Sequence, residues 1–117
     1  MMSEWTIYYN PKCGTCRNTL EILKKKKIQP RVVEYLKNPP SLKDLNALLS
    51  KLRVTPAEMI RSKEPIHDEL KLGEPGKSRE DILRAVSEHP VLLQRPIVVR
   101  DNRAVIARPP EKVEELF

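Results

Sequence analysis

The order of elements in the first third of the chain limits the fold more than any other feature. After an apolar run that begins at Trp5, Thr6 to Tyr9 reads as a short strand. A polar loop from Tyr9 to Asn18 follows, then a helical pattern to about Lys26 with Leu20, Ile22 and Leu23 among its core candidates, then Arg31-Val32-Val33-Glu34-Tyr35 as a second strand. Strand, helix and strand within about thirty residues make a βαβ unit, with parallel strands and a right-handed crossover. The loop at its first turn, Tyr9-Asn10-Pro11-Lys12-Cys13-Gly14-Thr15-Cys16-Arg17-Asn18, holds both cysteines of the chain.

That position has chemical consequences. A cysteine at a helix N-terminus meets unpaired backbone N–H groups and the positive end of the macrodipole, and both favour the thiolate. A free thiol with a pKa of ~8.5 is only about 3% ionised at pH 7, whereas a shift of about two units, worth ~2.7 kcal/mol, makes most of it thiolate. Arg17 is a candidate to add to such a shift. Two cysteines three apart also allow metal binding with distant ligands, or no shared role at all.

At 117 residues the chain fits one domain with a core that needs no disulfide staples. No apolar run approaches the ~20 residues that span a bilayer, and Met1-Met2-Ser3-Glu4-Trp5 lacks the basic and apolar regions of a signal peptide. A cytoplasmic protein is expected, and in that compartment Cys-x-x-Cys at a strand-to-helix junction reads as catalytic or redox-sensing. The 22 Lys and Arg against 16 Asp and Glu give a formal charge of +6, which favours anionic partners without identifying one. Aromatic residues make up only 4%, too few for the stacking platform of a single-strand binder. Lys24-Lys25-Lys26-Lys27 falls at the end of the first helix, where cations complement the dipole.

Residues Ser41 to Glu88 are helical in pattern. Ser41 precedes Leu42, Leu45, Leu48, Leu49 and Leu52, Thr55-Pro56-Ala57-Glu58 is a capping box that launches a short helix through Arg61, and Ser78 opens a helix that Pro90 closes. Gly73-Glu74-Pro75-Gly76 is a turn or flexible loop. Ile97-Val98-Val99 and Ala104-Val105-Ile106 flank Asp101-Asn102, which suits a two-residue antiparallel hairpin, and a short helix from Glu111 to Leu116 follows. A βαβ unit, a helical insertion over about 41–90 and a ββα unit give a thioredoxin-like α/β fold with a mixed four-stranded sheet, one domain over 1–117.

Four ordered motifs now carry a resemblance. Ile7 to Leu20 around Cys13-Gly14-Thr15-Cys16, then Tyr35-Leu36-Lys37-Asn38-Pro39-Pro40, Gln94-Arg95-Pro96-Ile97-Val98-Val99 and Ala107-Arg108-Pro109 together resemble the glutaredoxin-coupled arsenate reductase family, the ArsC type. The resemblance implies that Cys13 attacks arsenate to form a thiol adduct, which glutathione and glutaredoxin then reduce to arsenite. It implies that Arg61, Arg95 and Arg108 bind the oxyanion, that Asn10 helps to organise the loop at the substrate site, and that Pro96 is the cis-proline opposite the cysteine. No bound cofactor or metal is implied; glutathione is a co-substrate, and glutaredoxin or thioredoxin a partner of a monomeric enzyme.

Two departures from the family lie beside the nucleophile, since serine is common where Cys16 stands and histidine where Tyr9 stands. Cys16 opens a second route, in which Cys13 is resolved internally as a Cys13-Cys16 disulfide. Tyr9 supplies no positive charge, leaving thiolate stabilisation to the helix end and the arginines. The related Spx-type regulators carry Cys-x-x-Cys at this place and bind RNA polymerase, so a redox-regulated binding protein is the alternative reading; the three arginines favour the reductase. His67 and His89 fit no zinc-finger spacing and read as surface or capping residues. Glu64, Asp68 and Glu69 read as a solvated face.

Overall fold

The computed structural model describes residues 3–117. They form two compact units, one made of the chain up to Asn38 together with Arg95–Phe117, the other of Pro39–Gln94.

In the first unit, β1 (Trp5–Tyr8) and β2 (Arg31–Val33) pair in parallel, joined through α1 (Gly14–Lys25). β3 (Ile97–Arg100) runs antiparallel to β1 on its other side, and β4 (Arg103–Ile106) runs antiparallel to β3. The order β2-β1-β3-β4 is the mixed four-stranded sheet expected of the thioredoxin plan. Tyr8 lies opposite Ile97, and Ile97 opposite Ile106. The loop after β1, the segment before β3 and the segment after β4 therefore emerge at one end of the sheet. The end of β2 joins them, since Tyr9 donates its backbone N–H to the Val33 carbonyl at 2.8 Å.

Apolar residues from each layer close this unit: Ile7 and Val98 from the sheet, Leu23 from α1, and Ala107, Val113 and Leu116 from the C-terminal segment. Each large apolar side chain fully buried contributes roughly 1.5–3 kcal/mol. Thr19 is the buried polar residue of α1, and its hydroxyl donates to the Thr15 carbonyl at 2.8 Å, which satisfies it. Lys24 and Lys25 occupy the last turn of α1, where they complement the dipole. At the hairpin, Asp101 takes φ 55° and its backbone N–H reaches the Glu4 carbonyl, while Glu4 N–H donates to Asp101 Oδ1, both at 2.9 Å.

The second unit consists of α2 (Leu42–Leu52), α3 (Pro56–Met59), α4 (Pro65–Glu69) and α5 (Arg79–Glu88). The expected caps are all present. Ser41 accepts from Asp44 N–H, Thr55 and Glu58 cap each other reciprocally, and Ser78 does the same with Asp81. Leu45, Leu48, Leu49 and Leu52 line the buried face of α2, which packs against the Ile82, Leu83, Ala85 and Val86 face of α5.

Several boundaries differ from the sequence expectation, each for a local reason. β2 stops at Val33 because the Glu34 carbonyl accepts N–H groups from both Lys37 and Asn38 at 2.9 Å, which turns the chain and places Tyr35 in the turn. α3 ends at Met59, short of Arg61, because Ile60 becomes extended and bridges Leu93. Arg61 N–H then donates to the Leu92 carbonyl at 2.7 Å. The short α4 escaped notice since it has no side-chain cap and buries no residue. The final helix, Pro110–Leu116, is of the 3-10 type. No helix among the described residues is long and apolar enough to cross a membrane.

Candidate active site at the Cys13 loop

Cys13 is the N-cap of α1, with extended backbone (φ −96°, ψ 121°). Its N–H is held by the Asn10 carbonyl at 2.9 Å, and its own carbonyl accepts the first helical bond from Arg17 at 3.1 Å. Asn10 also folds the loop through its side chain, whose Oδ1 accepts Lys12 N–H at 3.0 Å. The first turn of α1 carries no acidic residue, so the helix end stays open to a negative charge.

The two thiols sit in opposite environments. Cys13 is partly exposed and Cys16 fully buried, and neither is in a disulfide. Burial opposes ionisation of Cys13, but the Cys16 backbone N–H, the Arg95 guanidinium and the Cys16 thiol favour the thiolate and bring it down to about 7. The Cys13 side chain closes no short capping bond, so the helix N–H groups act on the sulfur as dipoles at slightly longer range. Burial pushes the Cys16 thiol up to about 12, with the Asn10 backbone N–H pulling the other way. At pH 7 about half of Cys13 is nucleophilic thiolate, while Cys16 keeps its proton. A low-pKa accessible sulfur beside a protonated buried one is the arrangement for attack followed by resolution.

Arg95 brings the positive charge. It stands just before β3, opposite the end of β1, and the Arg95-Pro96 peptide bond is cis, as expected. Burial works against its charge, yet its interactions with Cys13 and Tyr35 raise its pKa above the ordinary value. Arg108, just past β4, donates from Nη1 to the Arg95 carbonyl at 3.0 Å, and the Arg108-Pro109 bond is cis as well. The sheet thus brings Asn10, Cys13, Cys16, Arg95 and Arg108 to its one end.

Arg61 belongs to the helical unit, where its Nη1 lies 2.6 Å from Glu64 Oε1. Glu64 is not on a solvated face, as its spacing suggested. Its side chain is 22% exposed, because the ion pair draws it down beside Arg61. Arg17, the sequence candidate for stabilising Cys13, instead donates to the Pro11 carbonyl at 2.8 Å and braces the loop. Tyr9 packs against the core of the sheet unit. Among the described residues no three His, Cys, Asp or Glu side chains are placed to hold a metal ion. His67 Nδ1 lies 3.3 Å from Asp68 Oδ1, and His89 is the C-cap of α5.

Tyr35 is the member of the site that sequence reasoning missed. Read as a strand residue, it lies instead in the turn after β2, fully buried, with burial pushing its phenol up to about 12 and Arg95 and both thiols acting on it. The signal available was topological: parallel β1 and β2 put the residue just past β2 beside the loop just past β1.

Comparison with known proteins agrees with this architecture. The sequence profile of the ArsC family matches residues 8–116. A Rhizobium meliloti (strain 1021) protein named arsenate reductase is 46% identical over 112 residues, covering 96% of this chain and 80% of that protein. A Neisseria meningitidis serogroup A protein of the same name is 39% identical over 117 residues, 99% of this chain and 100% of that one. The solved structure titled arsenate reductase from Vibrio cholerae superposes with a TM-score of 0.96 at 39% identity, covering 100% of both chains.

Proposed function

This chain belongs to the ArsC family, and on that premise we propose that it reduces arsenate, or a similar oxyanion, to arsenite with Cys13 as nucleophile. The observation that carries the reading is a partly exposed thiol, ionised near pH 7, with the Arg95 guanidinium acting on it. A thiolate approaching an oxyanion meets repulsion on the order of kcal/mol at a few ångström, which fixed guanidinium groups offset. Arg95 and Arg108 supply that charge at the end of the sheet, and Asn10 keeps the loop in shape.

The Cys13 sulfur forms a bond to arsenic(V), and one arsenic-bound oxygen, once protonated, leaves as water. Reduction to arsenic(III) then takes two electrons, which come from two thiols joining as a disulfide. A second sulfur attacks the Cys13 sulfur, the S–As bond breaks, and its electron pair departs with arsenite. The second sulfur is that of glutathione, with glutaredoxin regenerating Cys13, or that of Cys16, whose buried thiol must first give up its proton. Because thiols supply both electrons, no bound cofactor or metal is needed. The enzyme works as a monomer in the cytoplasm, where glutathione is abundant and thiols stay reduced.

The test is arsenate-dependent NADPH oxidation coupled through glutathione, glutaredoxin and glutathione reductase. Wild type turns over, Cys13→Ser falls to background, and Cys16→Ser separates the two sources of the second sulfur. No turnover in wild type, with a Cys13-Cys16 disulfide forming readily in mild oxidant, overturns the reading in favour of a redox-regulated binding protein.

A further inference from the structure

Among the described residues, two buried side-chain polar atoms have no hydrogen-bond partner, Tyr35 Oη and Arg95 Nε. They belong to the same site. Tyr35 stands just past β2 and Arg95 just before β3, while β1 runs between those strands and leads into the Cys13 loop. Buried polar atoms are ordinarily paired, so two unspent ones at one end of one sheet require an explanation. Their chemistry is complementary, since the phenol oxygen accepts and Nε–H donates. A guanidinium that spends Nε–H inward keeps its outer N–H groups for an anion in front of it.

We infer that Tyr35 is the positioning residue for Arg95: its hydroxyl oxygen takes up the Arg95 Nε–H, fixes the plane of the guanidinium and aims the outer N–H groups at Cys13 and the bound oxyanion. The inference rests on the reading that Arg95 serves both. Cys16 and Arg95 act on Cys13; Arg95, Cys16 and Cys13 act on Tyr35. Burial keeps the phenol protonated through the range in which Cys13 ionises. Tyr35 is therefore neutral there, and its influence on Cys13 passes through the geometry of Arg95.

The experiment is the pH dependence of Cys13 alkylation by iodoacetamide in wild type, Tyr35→Phe, Arg95→Gln and the double variant. Tyr35→Phe slows alkylation roughly three- to tenfold below pH 6.5, with rates converging above about pH 9 as every form becomes thiolate. KM for arsenate rises by a similar factor while kcat changes less. The melting temperature falls modestly, because Arg95 Nε–H loses its acceptor while the phenyl ring stays buried. In the Arg95→Gln background the same change has no further effect. A wild-type profile for Tyr35→Phe, or equal slowing in both backgrounds, overturns the inference. Arg95→Lys keeps the charge but lacks Nε–H, so it reproduces the slowing without touching Tyr35; a wild-type midpoint in that variant overturns the inference too. Absent arsenate turnover in wild type removes the substrate and leaves the alkylation cycle standing.

Discussion

Replacing Arg95 with glutamine separates its work on the thiol from its work on the oxyanion. Glutamine keeps a polar side chain of related shape and removes the charge. The structure sets the magnitude: Cys13 comes down from 9.0 to about 7, with the Cys16 backbone N–H and thiol sharing the effect with Arg95. If Arg95 carries about half, Cys13 in the variant titrates near 8, and its thiolate fraction at pH 7 falls from about a half to about a tenth. Iodoacetamide alkylation, which involves no oxyanion, then slows roughly fivefold at pH 7. The sign follows from a lowered pKa, so the loss is greatest below pH 7 and vanishes above about pH 9. Arsenate turnover should fall further, since a lost charge-assisted bond to the substrate costs about 1.5–3 kcal/mol, or roughly ten- to a hundredfold. An unchanged alkylation midpoint would refute the assignment of Arg95 to the thiolate. Equal losses in both assays would refute its contact with the oxyanion.

Two further outcomes concern Cys16 and the Arg61–Glu64 pair. Alkylation of Cys13 should level off about one unit above pH 7, whereas closure of the Cys13-Cys16 disulfide from a preformed Cys13 adduct should keep rising about tenfold per pH unit to pH 9, because Cys16 gives up its proton only near 12. Rapid-quench thiol mapping follows both, and a shared plateau would mean that Cys16 is not held protonated. Glu64→Gln, which breaks the 2.6 Å ion pair with Arg61, should lower the melting temperature by only a few degrees, since a partly exposed pair is worth about 1 kcal/mol or less; a much larger loss in a thermal melt would mean that the pair anchors the helical unit.

The fold was legible wherever a local signal agreed with its surroundings. Ser41, Thr55 and Ser78 began their helices as caps because side-chain oxygens bond N–H groups within the same turn. Asp101-Asn102 turned the hairpin for a similarly local reason. The site was legible only in part, because its partners come from distant positions. Arg17 is near Cys13 in sequence and points at the loop backbone, while Arg95 acts on the sulfur through strand pairing that periodicity does not reveal. Tyr35 was read as strand because its β propensity outweighs the weak turn signal of Glu34 to Asn38. Glu64 looked solvated because three-residue spacing does not say which carboxylate an arginine will choose.

The pairing of β1 with β3 also orders events during synthesis. β1 leaves the ribosome well ahead of its antiparallel neighbour, which is made about ninety residues later. Until then the sheet has no place to put Arg95 beside the thiol loop. Cys13 on an unfolded chain is an ordinary thiol, largely protonated at neutral pH, and on a nascent chain it gains the guanidinium's share of its activation only as β3 docks. Activation by a distant arginine ties full reactivity of the nucleophile to the docking of β3.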